Sequence, residues 1–278
     1  MTITINGDAI DFTLENEKTI GDVIAELKTW LGNTGMLLDG IEIDNQKMAL
    51  DKNELFKKPI EEVGQLSIEA LSIRESRMRQ LEIARDLFAL LKESAETGNS
   101  DTLAELESSY QDLRKILPRL LDEKPNSSVI SELGKTLEQN RLTLISSSTT
   151  MLALLDDRLK EITDPIGEAK SAMTTLSQLA NNLDVVAVNL QTGKGKQAMD
   201  SIAELCKILQ KFIRCLTWGA GNVGRSGIVD DMNKMFSELE EALIANDTVR
   251  IGDLLEYEFK PRLMELPDKM TWDVNSTQ

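Results

Sequence analysis

Met1-Thr2-Ile3-Thr4-Ile5-Asn6-Gly7-Asp8 opens the chain. Polar and apolar residues alternate from Thr2 to Ile5, the period of a strand with one buried face. Asn6-Gly7 tolerates two successive positive φ values, so it closes a two-residue hairpin. Working outward, Ile10 to Glu15 alternates again and is expected as the returning strand. Thr19-Ile20-Gly21-Asp22 opens an amphipathic helix that runs through Trp30. Strand-like runs return at Ile41–Asp44 and at Gln65–Ala70. The pattern then turns helical for about two hundred residues. The fold class read from this is α+β. A small sheet domain spans 1–72, a mostly antiparallel all-α bundle spans 74–270, and a short tail covers 271–278.

The order strand, strand, helix, strand, strand resembles the ubiquitin-like β-grasp fold. Within it, the likeness is to the small sulfur carriers of thiamine and molybdopterin synthesis. It is carried by Ile3-Thr4-Ile5-Asn6-Gly7-Asp8, Thr19 to Leu27, Ile41-Glu42-Ile43-Asp44-Asn45, Leu55, and Gly64 to Ala70. Those carriers end in a free Gly-Gly carboxylate that is adenylated. Here the last strand continues into Leu71-Ser72-Ile73-Arg74-Glu75, with no Gly-Gly. Carrier chemistry is therefore not implied. The resemblance implies a protein-binding or scaffolding role instead.

Aromatic residues make up only 4% of the chain, so aliphatic side chains must fill its cores, as suits a helical bundle. Met78, Leu81, Ala84, Leu87, Phe88 and Leu91 predict a helix over 74–97. Gly98 ends it, and Ser100 or Asp101 caps a second helix to about Leu121. A longer helical segment is expected over about 128–163, carrying Leu133, Leu137, Leu144, Met151, Leu155, Leu159 and Ile162; its small polar centre, Ser146 to Thr150, suits a close helix contact, a bend or a solvated face, the last being the default reading. Asp164-Pro165 starts the next helix. Its seam runs Ile166, Ala169, Met173, Leu176, Leu179, Leu183, Val186 and Leu190, close to a heptad. Short polar turns at 95–99, 190–194 and 245–248 each join two helices. That cadence weakly resembles the flagellin export chaperones, which are small antiparallel bundles.

The net charge is −16, and the chain contains no histidine. Residues 1–72 hold 14 acidic and 6 basic residues, a net of −8, so this quarter is the more acidic per residue. An acidic surface repels phosphate backbones and anionic membranes, so neither nucleic acid nor membrane is an expected partner. Without histidine, Ser-His-Asp and Cys-His catalysis cannot be assembled within the chain. Cys206 and Cys215, nine residues apart on one helix, lie on opposite sides and about 13 Å apart, too far for a disulfide. Both are expected as buried thiols. The N-terminus starts with a strand, not a signal peptide, and a cytoplasmic location is expected.

Gly219-Ala220-Gly221-Asn222-Val223-Gly224 matches the dinucleotide fingerprint, which works only between a strand and a helix. Helical spacing precedes it, so it reads as a helix–helix loop. Thr192-Gly193-Lys194-Gly195-Lys196 lacks the first glycine and the hydroxyl of a phosphate loop. Asp156-Asp157, Asp230-Asp231 and Glu238-Glu240-Glu241 lack calcium-loop spacing and read as solvated faces. Trp218 at a helix end, Arg225 beside the glycines and Trp272 in the tail are the partner-binding candidates, because Trp and Arg anchor interfaces. Trp272 is expected to dock back onto its own helices. No catalytic residue, cofactor site or metal site is assigned.

The reading that follows is a non-enzymatic interaction protein, an adaptor or chaperone-like scaffold acting through β-grasp and helical surfaces on an unidentified protein partner, and compatible with a homo-oligomer. The competing readings are a nucleotide- or anion-binding enzyme using the 219–227 loop, and a flagellar or secretion chaperone.

Overall fold

The computed structural model describes residues 1–13, 17–48, 57–123, 127–131, 133, 137, 140–192, 194–219, 226–270 and 272. The chain divides into two compact units, Met1–Leu155 and Asp156–Gln278, the division falling inside a helix.

In the first unit, β1 (Thr2–Ile5) and β2 (Asp8–Ala9) form the hairpin around Asn6 and Gly7, at φ 51° and 89°. Helix α1 (Ile20–Asn33), β3 (Met36–Ile43), β4 (Gln46–Met48) and β5 (Gln65–Ser72) complete the module. The five-stranded sheet has the order β2-β1-β5-β3-β4, with β1 parallel to β5 and the other pairs antiparallel. This arrangement is compatible with a β-grasp-like fold. Thr19 and Asp22 cap α1 reciprocally, each side chain reaching the other's backbone N–H. Ile20, Val23, Ile24, Leu27 and Leu31 then pack on Ile3, Ile41, Ile43, Leu66 and Ile68 from the sheet.

Two polar side chains fix the sheet's register. The Asn6 amide donates to the Ala70 carbonyl at 3.0 Å and accepts its N–H at 2.9 Å, so it stands in for the next residue of β1. Asp44 Oδ1 accepts the N–H groups of Gly64 and Gln65, both at 2.9 Å, tying the β3–β4 turn to the start of β5. The register of β3 on β5 slips between Leu38 and Gly40. The extra residue, Asp39, is ion-paired with Arg79 on the following helix.

Helix α2 (Ile73–Thr97) starts from β5 through a Ser72–Glu75 capping box and ends at Gly98, φ 73°. It packs antiparallel on α3 (Ser100–Leu121), with Phe88 edge-on to Tyr110 at 6.4 Å. Helices α4 (Ser128–Ser131) and α5 (Arg141–Thr163) follow.

The second unit holds the end of α5, then α6 (Pro165–Ala180), α7 (Leu183–Gln191), α8 (Gly195–Trp218), α9 (Ser226–Ile244), α10 (Thr248–Asp253) and α11 (Lys260–Lys269). A π-helical turn, Leu254–Phe259, joins α10 to α11. One core runs from Ala169 on α6 to Met270 after α11.

Several expectations are corrected. Beyond Ala9 the alternation at Ile10 and Phe12 does not make strand; both side chains, half-buried, instead pack against the core of the first unit. The rest of that expected strand includes residues 14–16, outside the described residues. Asn99, not Ser100 or Asp101, caps α3, accepting the Thr102 N–H at 3.2 Å. The expected 128–163 helix is broken. The Leu137 N–H is given to the Glu107 carboxylate at 2.8 Å, so it is not available to a helical carbonyl. Ile130, Leu133 and Leu137 are buried all the same. The 166–190 seam breaks at Asn181-Asn182, and its deepest positions include Ala169, Ala172 and Ala180. Small residues there let α6 lie close on α8, while Met173 and Leu179 sit only half-buried. In the polar centre of α5, Ser146, Thr149 and Thr150 are exposed, but Ser148 is fully buried and its hydroxyl meets no partner among the described residues. Cys215 is buried, whereas Cys206 is half-buried.

Candidate functional site

The most concentrated chemistry of the second unit lies where the last turns of α5 meet α8. Glu161 is 1% exposed and accepts from two guanidinium groups. Arg214 grips it in a fork, Nε to Oε2 at 2.8 Å and Nη2 to Oε1 at 2.9 Å. Arg158, one turn earlier on α5, adds Nη1 to Oε1 at 2.8 Å. Beside them Lys211 pairs with Glu168 at 2.5 Å. A carboxylate with this many charged donors is fully engaged, so the centre pins α5 to α8 and has no free group for acid–base work. Cys215 is beside it. Burial, and secondarily the Glu161 charge, push its thiol up to about 12. Burial alone pushes Cys206 up to about 11. Neither is poised as a nucleophile at neutral pH.

The three sequence candidates are not drawn into one site. Trp218 ends α8, half-buried. Trp272 packs against the second unit's core, with Lys170 Nζ 5.5 Å from its ring centroid, so it is held by its own helices through apolar and cation–π contact. Arg225 lies outside the described residues, as do residues 220–224 of the glycine-rich stretch. The elements on either side of that stretch are helices α8 and α9. The strand–turn–helix setting of a dinucleotide loop is thus missing.

What the sequence reading missed is a second apolar stripe on α2. Leu81, Ala84, Phe88 and Leu91 are buried, yet Ile83 is 60% exposed and Leu90 47%, with Leu87 half-buried between them. These three recur at i, i+4 and i+7, one face of a helix. The spacing is legible in the sequence, but Leu87 adjoins Phe88 of the core stripe, so the two faces merge there into one apolar pattern. A second overlooked feature is a cluster of Arg114, Lys115 and Arg119 around a cleft at the end of α3. Among the described residues no group of three His, Cys, Asp or Glu could hold a metal ion, and no helix is long and apolar enough to cross a membrane.

Comparison with known proteins matches both units in part. Residues 1–72 match a family described as the TP0873 N-terminal domain. Residues 168–269 match a domain of unknown function, DUF8042. An uncharacterized protein of Treponema pallidum (strain Nichols) is 27% identical over 124 residues, covering 43% of this chain and 62% of that protein. The chain thus matches less than two thirds of that relative's length. No solved structure matches the chain.

Proposed function

We propose that this chain is a non-enzymatic protein-interaction module, an adaptor or chaperone-like scaffold acting in the cytoplasm through helical surfaces. The observation that carries the reading is the Ile83–Leu87–Leu90 stripe on α2. A helix needs one apolar face to join its own core, and α2 already has one in Leu81, Ala84, Phe88 and Leu91. A second, outward face at helical spacing is suited to an amphipathic helix of a partner. The sheet contributes less. Among the described residues its edges are short, two residues in β2 and three in β4, which leaves little ladder for an added strand.

The test compares quantitative affinity capture from native cells by the wild-type chain and by an Ile83→Asp/Leu90→Asp variant. Both positions are exposed, so the variant should keep its far-UV circular dichroism spectrum. The expected result is a reproducible partner retained by the wild type and lost by the variant. A capture profile indifferent to both substitutions would sink the reading, and a saturable thermal shift with nucleotides would move the choice to an enzyme.

A further inference from the structure

Arg114, Lys115, Pro118 and Arg119 on α3, with Glu123 beyond its end and Ile130 on α4, line a cleft of about 520 Å³ in the first unit. Arg114 and Pro118 share one i, i+4 stripe of α3, and Lys115 and Arg119 the neighbouring one. Among the described residues of the lining, three cations therefore meet one carboxylate, in a chain whose net charge is −16. Lys115 is paired with Asp112 at 2.8 Å, but both partners are largely exposed, so the pair is weak and easily exchanged. The Nε–H of Arg114 is buried and meets no acceptor among the described residues. A buried donor left unmet is costly, and a turn of the Arg114 guanidinium toward an oxyanion in the cleft would relieve it.

The end of a helix is a negative pole and would repel an anion. Here that pole is partly quenched. The Glu123 N–H closes on the Pro118 carbonyl at 2.8 Å and the Asp122 N–H on Arg119 at 3.4 Å. The cleft also falls within the size range of small-molecule sites, roughly 300–1,000 Å³, well beyond a bare phosphate. Pro118 and Ile130 give it apolar wall.

We propose that this cleft binds a small organic oxyanion, its phosphate or carboxylate head on Arg114 and Arg119 and its apolar stem against Pro118 and Ile130. The site is separate from the α2 stripe, and its failure leaves the interaction reading untouched.

Isothermal titration of the full chain with inorganic phosphate, phenyl phosphate and benzoate tests it. One saturable site is expected for phenyl phosphate or benzoate, tighter than for inorganic phosphate and weakened by added salt. Arg114→Gln and Arg119→Gln should each weaken it about tenfold, in keeping with loss of a charge-assisted hydrogen bond. Ile130→Ser should bring the aromatic anions down toward inorganic phosphate. Lys47→Gln, on the sheet, is the control and should change nothing. Should Arg114→Gln fail to fold, Arg119→Gln decides, because Arg119 is an exposed side chain. No saturable binding by any of the three anions, or binding that ignores both arginine changes, overturns the site. Equal affinity for phenyl phosphate and inorganic phosphate overturns the apolar stem.

Discussion

Removing the carboxylate of Glu161 should be among the most damaging single changes in the second unit. Three charge-assisted hydrogen bonds, at 2.8, 2.8 and 2.9 Å, end on this one group. Without it, the Arg158 and Arg214 side chains, 10% and 15% exposed, would lose a shared acceptor and face each other as like charges. Breaking a buried ion pair by deleting one partner costs about 3–5 kcal/mol. Both arginines retain some access to water, which places Glu161→Ala near the lower end, ~3 kcal/mol. Glu161→Gln keeps one carbonyl acceptor and should cost ~2 kcal/mol. Against a typical total of roughly 5–15 kcal/mol, either loss is large. The charges are coupled, so Glu161→Leu combined with Arg214→Met should be less destabilising than the sum of the single changes by at least ~1 kcal/mol. Urea unfolding in a Trp30→Phe background reads this cleanly, because the two remaining tryptophans, Trp218 and Trp272, both belong to the second unit. A change under ~0.5 kcal/mol for Glu161→Ala, or strict additivity in the cycle, would refute the claim that this centre pins α5 to α8.

Leu183→Asp puts a carboxylate at a position 2% exposed in the second core and should cost several kcal/mol in the same urea assay; an unmoved midpoint would mean that the α7 face meets water. The carboxyl of Asp22 is held below its ordinary 3.8 chiefly by the Thr19 N–H, and that of Glu75 below 4.5 chiefly by the Ser72 hydroxyl. Lowered folded values mean that the caps stabilise fully above those ordinary values and lose their contribution as pH falls through the folded ones. Acid unfolding of Asp22→Asn/Glu75→Gln should therefore be less steep below pH 4.5 than that of the wild type, and parallel curves would contradict the cap assignment. With thiols pushed up to about 11 and about 12, Cys206 and Cys215 should react slowly with a thiol reagent at pH 8 in the native chain and rapidly in denaturant. Fast native labelling would show that the α8 face opens.

The sheet module was legible because its signals are local. Asn6-Gly7 dictates a turn, and Thr19 with Asp22 dictates a helix start. Leu66 and Ile68 alternate with the polar residues of a half-buried strand. The length of β3 was harder to see. Met36 to Gly40 does not alternate cleanly, and Asp39 is bulged out of register. In the helical part, starts and stops read well where proline, glycine or a capping side chain marks them, as at Asp164-Pro165 and Gly98. The break before α5 was hidden because it depends on Glu107, some thirty residues earlier in sequence, accepting the Leu137 N–H. The Glu161 centre was hidden for a similar reason. Its partners on α5 and α8 are ordinary charged residues until the fold brings them together. The face of α6 was legible in part: Ala169 and Leu176 are buried as the seam requires, but Ala172 and Ala180 are buried where Met173 and Leu179 were expected.

The π turn between α10 and α11 has a bearing on how this chain could vary. An α-helix advances about 100° per residue. In an unbroken one, Phe259, Leu263 and Leu266 would therefore be turned roughly a quarter of a revolution away from Ile251, Leu254 and Leu255. Yet all six belong to one core. The wider turn, in which the Lys260 N–H reaches back to the Leu255 carbonyl, absorbs that phase difference. Pro261, just beyond it, has no N–H to lose as the register changes. In effect the turn holds one spare residue. Excision of Glu256 or Tyr257, both exposed, would close it to ordinary helix while leaving every downstream side chain in phase with its pocket. The helix is thus a place where chain length can change by one without disturbing the interior. Two homologous sequences aligned through it would appear to slip by a residue while their cores superimpose.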